Sequence, residues 1–262
     1  MPFLNDGQCH AIGINNEKNI VNYMNENPQN AIIQKLEIDN GSCVKSWKHE
    51  GGTKQKMDAS FQLESGNIIG VSIKNHDKGT FDWVNTTKGV PEDLKKNIRD
   101  FKNNNMDNDI PDKGGIREEV EDILSSYLDN LSSNDIAELL SLIRKDADNT
   151  KYIIVNDKKK EELILINESN LDIYCNPNHK HNFILKSKSA KTSRQIFIQK
   201  DNGEYVNTNL RIRLHLNNGI KALLGQSTKN KSSVPCLKIQ QDNVEEFIAN
   251  CYDKVIVNYA TR

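Results

Sequence analysis

The chain predicts an α+β fold, and three patterns carry that expectation. A hairpin over residues 56–75 alternates strictly, with Met57, Ala59, Phe61 and Leu63 on one face of its first arm and Ile69, Val71 and Ile73 on one face of its second. Two segments between 116 and 143 repeat apolar residues at helical spacing. From residue 151 the pattern changes to short apolar runs parted by polar turns, the mark of a β-rich half. With 262 residues the chain can bury one large core or two small ones.

In chain order, the first fifteen residues have weak periodicity and suggest no regular element. Asn15 or Asn16 caps a helix to about Glu26, with Ile20, Val21 and Met24 as its stripe and Asn27-Pro28 as its stop. Ala31 to Ile38 reads as a strand, with Ser42 to Trp47 pairing back to it across Asn40-Gly41. Gly51-Gly52 leads into the hairpin and suits either close approach of a phosphate backbone or a plain flexible turn. The hairpin turns through Glu64-Ser65-Gly66-Asn67. Its apolar faces must share a side, so odd residues oppose odd: Phe61 faces Val71, Leu63 faces Ile69, and Asp58 faces Lys74 with the Ser72 hydroxyl on the same exposed face.

Phe81 to Val84 reads as the start of a helical piece, Pro91 begins a helix to about Phe101, and residues 103–115 form a polar linker. Ile116 to Leu128 is a helix with Val120, Ile123, Leu124 and Tyr127 inward. A second helix, capped by Ser132 or Ser133, buries Ile136, Leu139, Leu140 and Ile143. Their acidic outer faces suit structure or dimer contacts. Strands follow at Tyr152 to Val155, Leu163 to Ile166, Asn182 to Leu185, Gln195 to Gln199, Leu210 to Leu216, Lys221 to Leu224 and Val234 to Ile239. Asp242 then caps a last helix with Val244, Phe247, Ile248 and Cys251 inward. This order divides the chain into 1–104, 105–150 and 151–262, or leaves one continuous domain.

Composition removes several classes. No apolar run reaches about 18 residues and no basic-then-apolar leader opens the chain, so no membrane partner and a cytoplasmic location are expected. Five scattered cysteines with no C-x-x-C suggest neither a disulfide framework nor a zinc ribbon. Cys175, His179 and His181 lack a fourth ligand at matching spacing, which favours a polar turn over a metal site. No phosphate-binding, dinucleotide or nucleophile-elbow glycine motif is present.

Net charge is −1, but its distribution is uneven. Residues 92–148 hold 15 acids against 8 bases, whereas residues 180–240 hold 12 Lys and Arg against Asp201 and Glu204. The second stretch reads as a polyanion surface or as a solvated lysine-rich face. Two parts of it suit DNA: the loop with Lys186, Lys188, Ser189, Lys191, Thr192, Ser193, Arg194 and Gln195, and the strand pair Arg211 and Arg213. Arg matches the paired acceptors of guanine and Gln matches adenine, while Lys and Ser suit phosphates.

The hairpin's acid, Asp58, followed by Ser72-Ile73-Lys74 at the end of the next strand, resembles the core of the PD-(D/E)XK nucleases. Asn15-Asn16-Glu17-Lys18-Asn19-Ile20-Val21 looks like the helix preceding that core, and Asn75-His76-Asp77-Lys78-Gly79-Thr80-Phe81 like the turn into the helix that follows. The group resembled is the small type II restriction endonucleases of the MspI and HhaI neighbourhood. Ser72 departs from the family's second carboxylate.

The resemblance implies a mixed sheet flanked by helices, followed by a basic β-rich DNA-recognition half. It implies Mg²⁺ held by Asp58 and the Ile73 carbonyl, with Glu17 as the carboxylate that Ser72 fails to supply. The alternative for Glu17 is that it favours the helix dipole. Lys74 would orient water or stabilise the reacting phosphate, and Ser72 could ligate only weakly. The implied partners are double-stranded DNA and a methyltransferase of the same specificity, the chain acting as monomer or homodimer. Against this stand a hairpin of solvated surface charges, a DNA-binding protein without catalysis, and a nuclease for structured or damaged DNA.

Overall fold

A computed structural model describes residues 6–51, 57–76, 79–105, 113–143, 150–171, 174, 181–188, 190–227 and 229–260, without the side chains of 6–10 and 113–115. Gly52, Cys175, His179 and Ser189, each read above, lie outside the described residues. The fold is mixed α+β, as expected. It divides into two compact units that interleave in sequence: Met1–Phe81, Arg144–Ile173 and Val244–Arg262 form one, and Asp82–Ile143 with Tyr174–Asn243 form the other. This division cuts across the linear one into 1–104, 105–150 and 151–262.

The first unit is built on a six-stranded sheet. Its strands are β1 (Val44–His49), β2 (Ala59–Leu63), β3 (Ile68–His76), β5 (Thr150–Asp157), β6 (Glu162–Asn167) and β11 (Val255–Asn258), in that spatial order. Every pairing is antiparallel except β3 with β5, which is parallel. Helix α1 (Asp6–Glu26) packs on β1, and α2 (Ala31–Asn40) packs on β1 and β11. Ile20, Val21 and Met24 of α1 join Ile32, Ile33 and Leu36 of α2 over Phe61, Val71, Ile73, Tyr152 and Ile154. Helix α7 (Val244–Asn250) precedes β11.

The second unit holds a five-stranded sheet in the order β4 (Phe81–Thr86), β10 (Pro235–Gln241), β9 (Tyr205–Leu216), β8 (Ser193–Gln199) and β7 (Asn182–Ser187). Strand β10 with β9, β9 with β8, and β8 with β7 are antiparallel. Helix α3 (Glu92–Asn105) packs on β10, α4 (Lys113–Asp129) on β8 and β9, and α5 (Ser133–Ser141) on β7. One sheet face is thereby covered, burying Ile196, Ile212, Leu214, Leu237 and Ile239. Ser132 and Asp135 close a capping box on α5. A single helical turn, α6 (Gly219–Leu223), follows β9.

Five expectations need correction. Helix α1 begins at Asp6, nine residues before the expected cap at Asn15. Residues 31–38 are helical: Asn30 Oδ1 accepts the Ile33 N–H at 3.0 Å, and Gly41 closes the helix at φ 61°. Two caps outweigh β-branched propensity here, and Asn40-Gly41 is a helix end instead of a hairpin turn. Phe81–Thr86 is a strand, and Lys221 to Leu224 lies on or just after a helical turn.

The hairpin register is the fifth. Phe61 pairs with Ile69 and Ala59 with Val71, two residues from the expected pairing. Gly66 takes φ 90° and donates to the Leu63 carbonyl, while Leu63 N–H donates to Asn67, so the loop is three residues with glycine in the left-handed position. A two-residue shift keeps every side chain on its face, which is why hydrophobic alternation could not detect it.

Candidate active site

Asp58 sits one residue before β2, and its N–H donates to the Val71 carbonyl at 3.1 Å. The shifted register sets Asp58 beside Ser72 and Ile73, not opposite Lys74. Its Oδ2 accepts the Ile73 N–H at 2.6 Å and the Ser72 hydroxyl at 3.1 Å. Strand β2 begins only at Ala59, while its partner β3 runs on to His76. A strand residue's N–H and C=O point to the same edge, so the Ile73 carbonyl faces the edge where the carboxylate sits. Ser60 and Ser72 are buried, so the polar side of this hairpin is not the open face expected.

Glu17, on α1, lies within the fields of both Asp58 and Lys74. Burial raises its carboxyl above the ordinary range; Asp58 adds to the rise, while the His49 hydrogen bond, the His49 charge and Lys74 oppose it. The structure thus gathers Glu17, Asp58, Ser72, Ile73 and Lys74 at one end of the sheet of the first unit.

His49 and Glu50 escaped the sequence reading, in which Gly51, Asn16 and Asn75 have other roles. His49 Nε2 lies 2.9 Å from Glu17 Oε2. Gly51 packs against that pair: a Cβ there would lie 2.6 Å from His49 Nε2 and 2.8 Å from Glu17 Oε2. Glu50 accepts the Ser60 hydroxyl at 2.8 Å and donates its N–H to the Asp58 carbonyl at 3.1 Å. Behind the site, Asn16 donates to Asn75 Oδ1 at 2.5 Å and Asn156 donates to Asn16 Oδ1 at 2.7 Å. These asparagines tie α1 to β3 and β5 at the residues next to Glu17 and Lys74. The signal that could have found Asn16 and Asn75 was adjacency to the acid and the lysine.

At the buried end of β3, His76 Nδ1 lies 3.4 Å from Asp157 Oδ2, both side chains 1% exposed. Burial would raise the Asp157 carboxyl, but the Lys160 N–H, His76, the Lys159 N–H and the Lys160 charge prevail and hold it below its ordinary range.

The residues assigned to DNA are distributed unevenly in the second unit. Lys186 is exposed, its Nζ 3.6 Å from the Tyr205 ring centroid. Arg213 is exposed, Arg211 pairs with Asp242 at 2.9 Å, Lys188 pairs with Asp242 at 2.6 Å, and Lys191 pairs with Asp122. Thr192, Ser193, Arg194 and Gln195 are buried, which corrects the picture of one open donor-rich loop. The Arg194 guanidinium is taken by Asp129, Ser125 and the carbonyls of Lys191 and Ser193. Of the expected loop, Lys186 and Ser187 end β7 and Ser193 to Gln195 begin β8, which turns Arg194 under α4.

Among the described residues no helix is long and apolar enough to cross a membrane, which says nothing of strands. Nor does any group of three His, Cys, Asp or Glu among them stand at metal-holding spacing. No protein-family model matches the chain, and no curated protein matches it. Among solved structures it is similar to restriction endonuclease MspI in complex with its cognate DNA. The identity is 12% and the TM-score 0.26, over 61% of this chain and 73% of that one.

Proposed function

We propose that this protein is a Mg²⁺-dependent type II restriction endonuclease of the PD-(D/E)XK kind, cutting double-stranded DNA at a short site. The observation that supports this is the anchored acid. Asp58 is held by Ile73 N–H and the Ser72 hydroxyl just before β2 begins, and the Glu17 carboxyl feels both Asp58 and Lys74. An exposed charge pair on a structural hairpin has no need of that anchoring.

The donor chemistry fits magnesium. Among the described residues the side-chain hydrogen bonds to Asp58 fall on Oδ2, so Oδ1 is the oxygen that would meet a cation, and a cation would relieve the repulsion that Asp58 exerts on Glu17. Asp58, Glu17 and the Ile73 carbonyl would hold it. Few protein ligands suit an ion that keeps several waters and takes phosphate oxygens from its substrate. When bound, it supplies charge neutralisation and a water of lowered pKa.

In the hydrolysis, a water oxygen bonds to phosphorus, the bond to the leaving sugar oxygen breaks, and that oxygen gains a proton. Lys74 places its ammonium against the charge growing on the phosphate or orients the water. Ser72 holds Asp58 in line. Glu17 stands in for the missing second carboxylate, and His49 steadies it. The partners of this reading are double-stranded DNA and a methyltransferase of the same specificity, in the cytoplasm, with the chain a monomer or homodimer.

The test is to make Asp58→Ala and Lys74→Ala and assay both cleavage and gel shift. Loss of cleavage with DNA binding retained supports the assignment, and full activity in either variant sinks it. The second reading, supported by the exposed Lys186 and Arg213 of the second unit, is a DNA-binding protein without catalysis. In that case the wild type shifts DNA and never cuts it.

A further inference from the structure

In the second unit, helices α3, α4 and α5 cover one face of the sheet, and the opposite face carries an ordered polar grid. Strand pairing sets Gln240, Arg211, Gln195 and Lys186 in one row across β10, β9, β8 and β7. Lys238, Arg213 and Ser193 form the next row. Two acids hold parts of this grid. Asp82 accepts Lys238 at 3.0 Å and Gln240 Nε2 at 2.8 Å, and Asp242 accepts Lys188 at 2.6 Å and Arg211 at 2.9 Å. Arg213 is exposed and makes no ion pair with any described residue.

An independent observation comes from atoms left without partners. Ser193 Oγ, Arg211 Nε, His215 Nδ1 and Gln240 Oε1 are buried and unpartnered among the described residues. All four belong to residues of this face: β9 alternates, with Ile212 and Leu214 under the helices and Arg211, Arg213 and His215 opposite. Orphaned buried donors and acceptors are costly and rare unless something satisfies them. Arg211 Nε needs an acceptor and Gln240 Oε1 a donor, so this face, among cations, suits a polyanion that presents groups of both kinds.

We infer that this face reads base edges of double-stranded DNA in the major groove, with Arg211 and Gln240 as specificity-determining residues. The inference deepens the proposed nuclease function and rests on it. Asp82 and Asp242 are stand-ins that hold the donors in place until the nucleic acid supplies acceptors. Arg suits guanine O6 and N7, and Gln, with donor and acceptor on one amide, suits adenine N6 and N7. Lys186, Lys188, Arg213 and Lys238 supply the phosphate-facing charge.

The experiment selects bound sequences from a random duplex library in EDTA, with the full chain and the variants Arg211→Lys, Gln240→Ala and Arg213→Ala. Circular dichroism melts check that each variant folds. Arg211→Lys and Gln240→Ala are expected each to relax one position of the consensus by ten-fold or more. Arg213→Ala weakens all sequences alike and flattens the salt dependence by about one unit of slope. An unchanged consensus in folded Arg211→Lys and Gln240→Ala, with wild-type site preference intact, overturns this inference and leaves the nuclease reading standing. Equal binding of duplex RNA with no consensus also overturns it. No binding and no cleavage of DNA by the wild type overturns both.

Discussion

The Ile73 N–H donates to Asp58 Oδ2 across 2.6 Å, and the Ser72 hydroxyl donates to the same oxygen at 3.1 Å. Ser72 therefore acts on the Asp58 carboxylate, two residues before Lys74 on the same strand. Ser72→Ala removes one neutral-to-charged hydrogen bond, worth about 1.5–3 kcal/mol. Cleavage is expected to fall about 10- to 100-fold with DNA affinity unchanged. Steady-state kinetics beside a gel shift checks this, and a wild-type rate contradicts the role given to Ser72.

Glu17 should trade stability for function. Its carboxyl titrates above its ordinary range, because of burial first and Asp58 second, so at pH values above the folded pKa the folded state carries a penalty that the unfolded chain does not. Below the unfolded pKa both states are protonated and the penalty vanishes. Glu17→Gln is expected to stabilise the fold at neutral pH by under about 1 kcal/mol, because solvent screens a half-buried group, and so to raise the melting temperature. The gain disappears in acid. A lowered melting temperature at neutral pH argues against it.

Asp157 behaves in the opposite sense. Its folded pKa is lowered, so it contributes stability above the unfolded carboxylate pKa, lost as pH falls through the folded value. Asp157→Ala leaves His76 buried beside a void and is expected to cost about 1–3 kcal/mol at neutral pH. Chemical denaturation at neutral and acid pH measures the difference, which should shrink in acid.

Gly51→Ala would place a methyl 2.6 Å from His49 Nε2 and 2.8 Å from Glu17 Oε2. The pair must part. Nuclease activity is expected to drop about ten-fold, roughly 1.4 kcal/mol in the barrier, while the fold survives, because the neighbours that move are side-chain ends. An unchanged rate removes Glu17 from the site.

Asn16 and Asn156 are buried and bonded to each other at 2.7 Å. Asn156→Ala strands Asn16 Oδ1 and is expected to destabilise the first unit by about 1–3 kcal/mol. A melt that does not change contradicts the tie between α1 and β5.

That Asp58, Ser72 and Lys74 share one face of the hairpin was legible, because alternation fixes parity. Register was not legible, since a two-residue slip preserves parity and depends on which turn Gly66 closes. Residues 31–38 misled because apolar β-branched residues suit either element over so short a span. The caps at Asn30 and Gly41 decide it. Arg194 looked like a DNA contact by composition, yet strand alternation turns it under α4 to Asp129. His49 gave no signal at all, because its partner is 32 residues away.

The central claim is metal-dependent cleavage at defined sites. Unmethylated plasmid DNA incubated with the pure protein, with Mg²⁺ and separately with EDTA, tests it most directly on a gel. Discrete fragments with Mg²⁺ and intact DNA in EDTA are the expected result. Intact DNA in both lanes, with a gel shift still present, would contradict it and leave the anchored Asp58 as part of a scaffold.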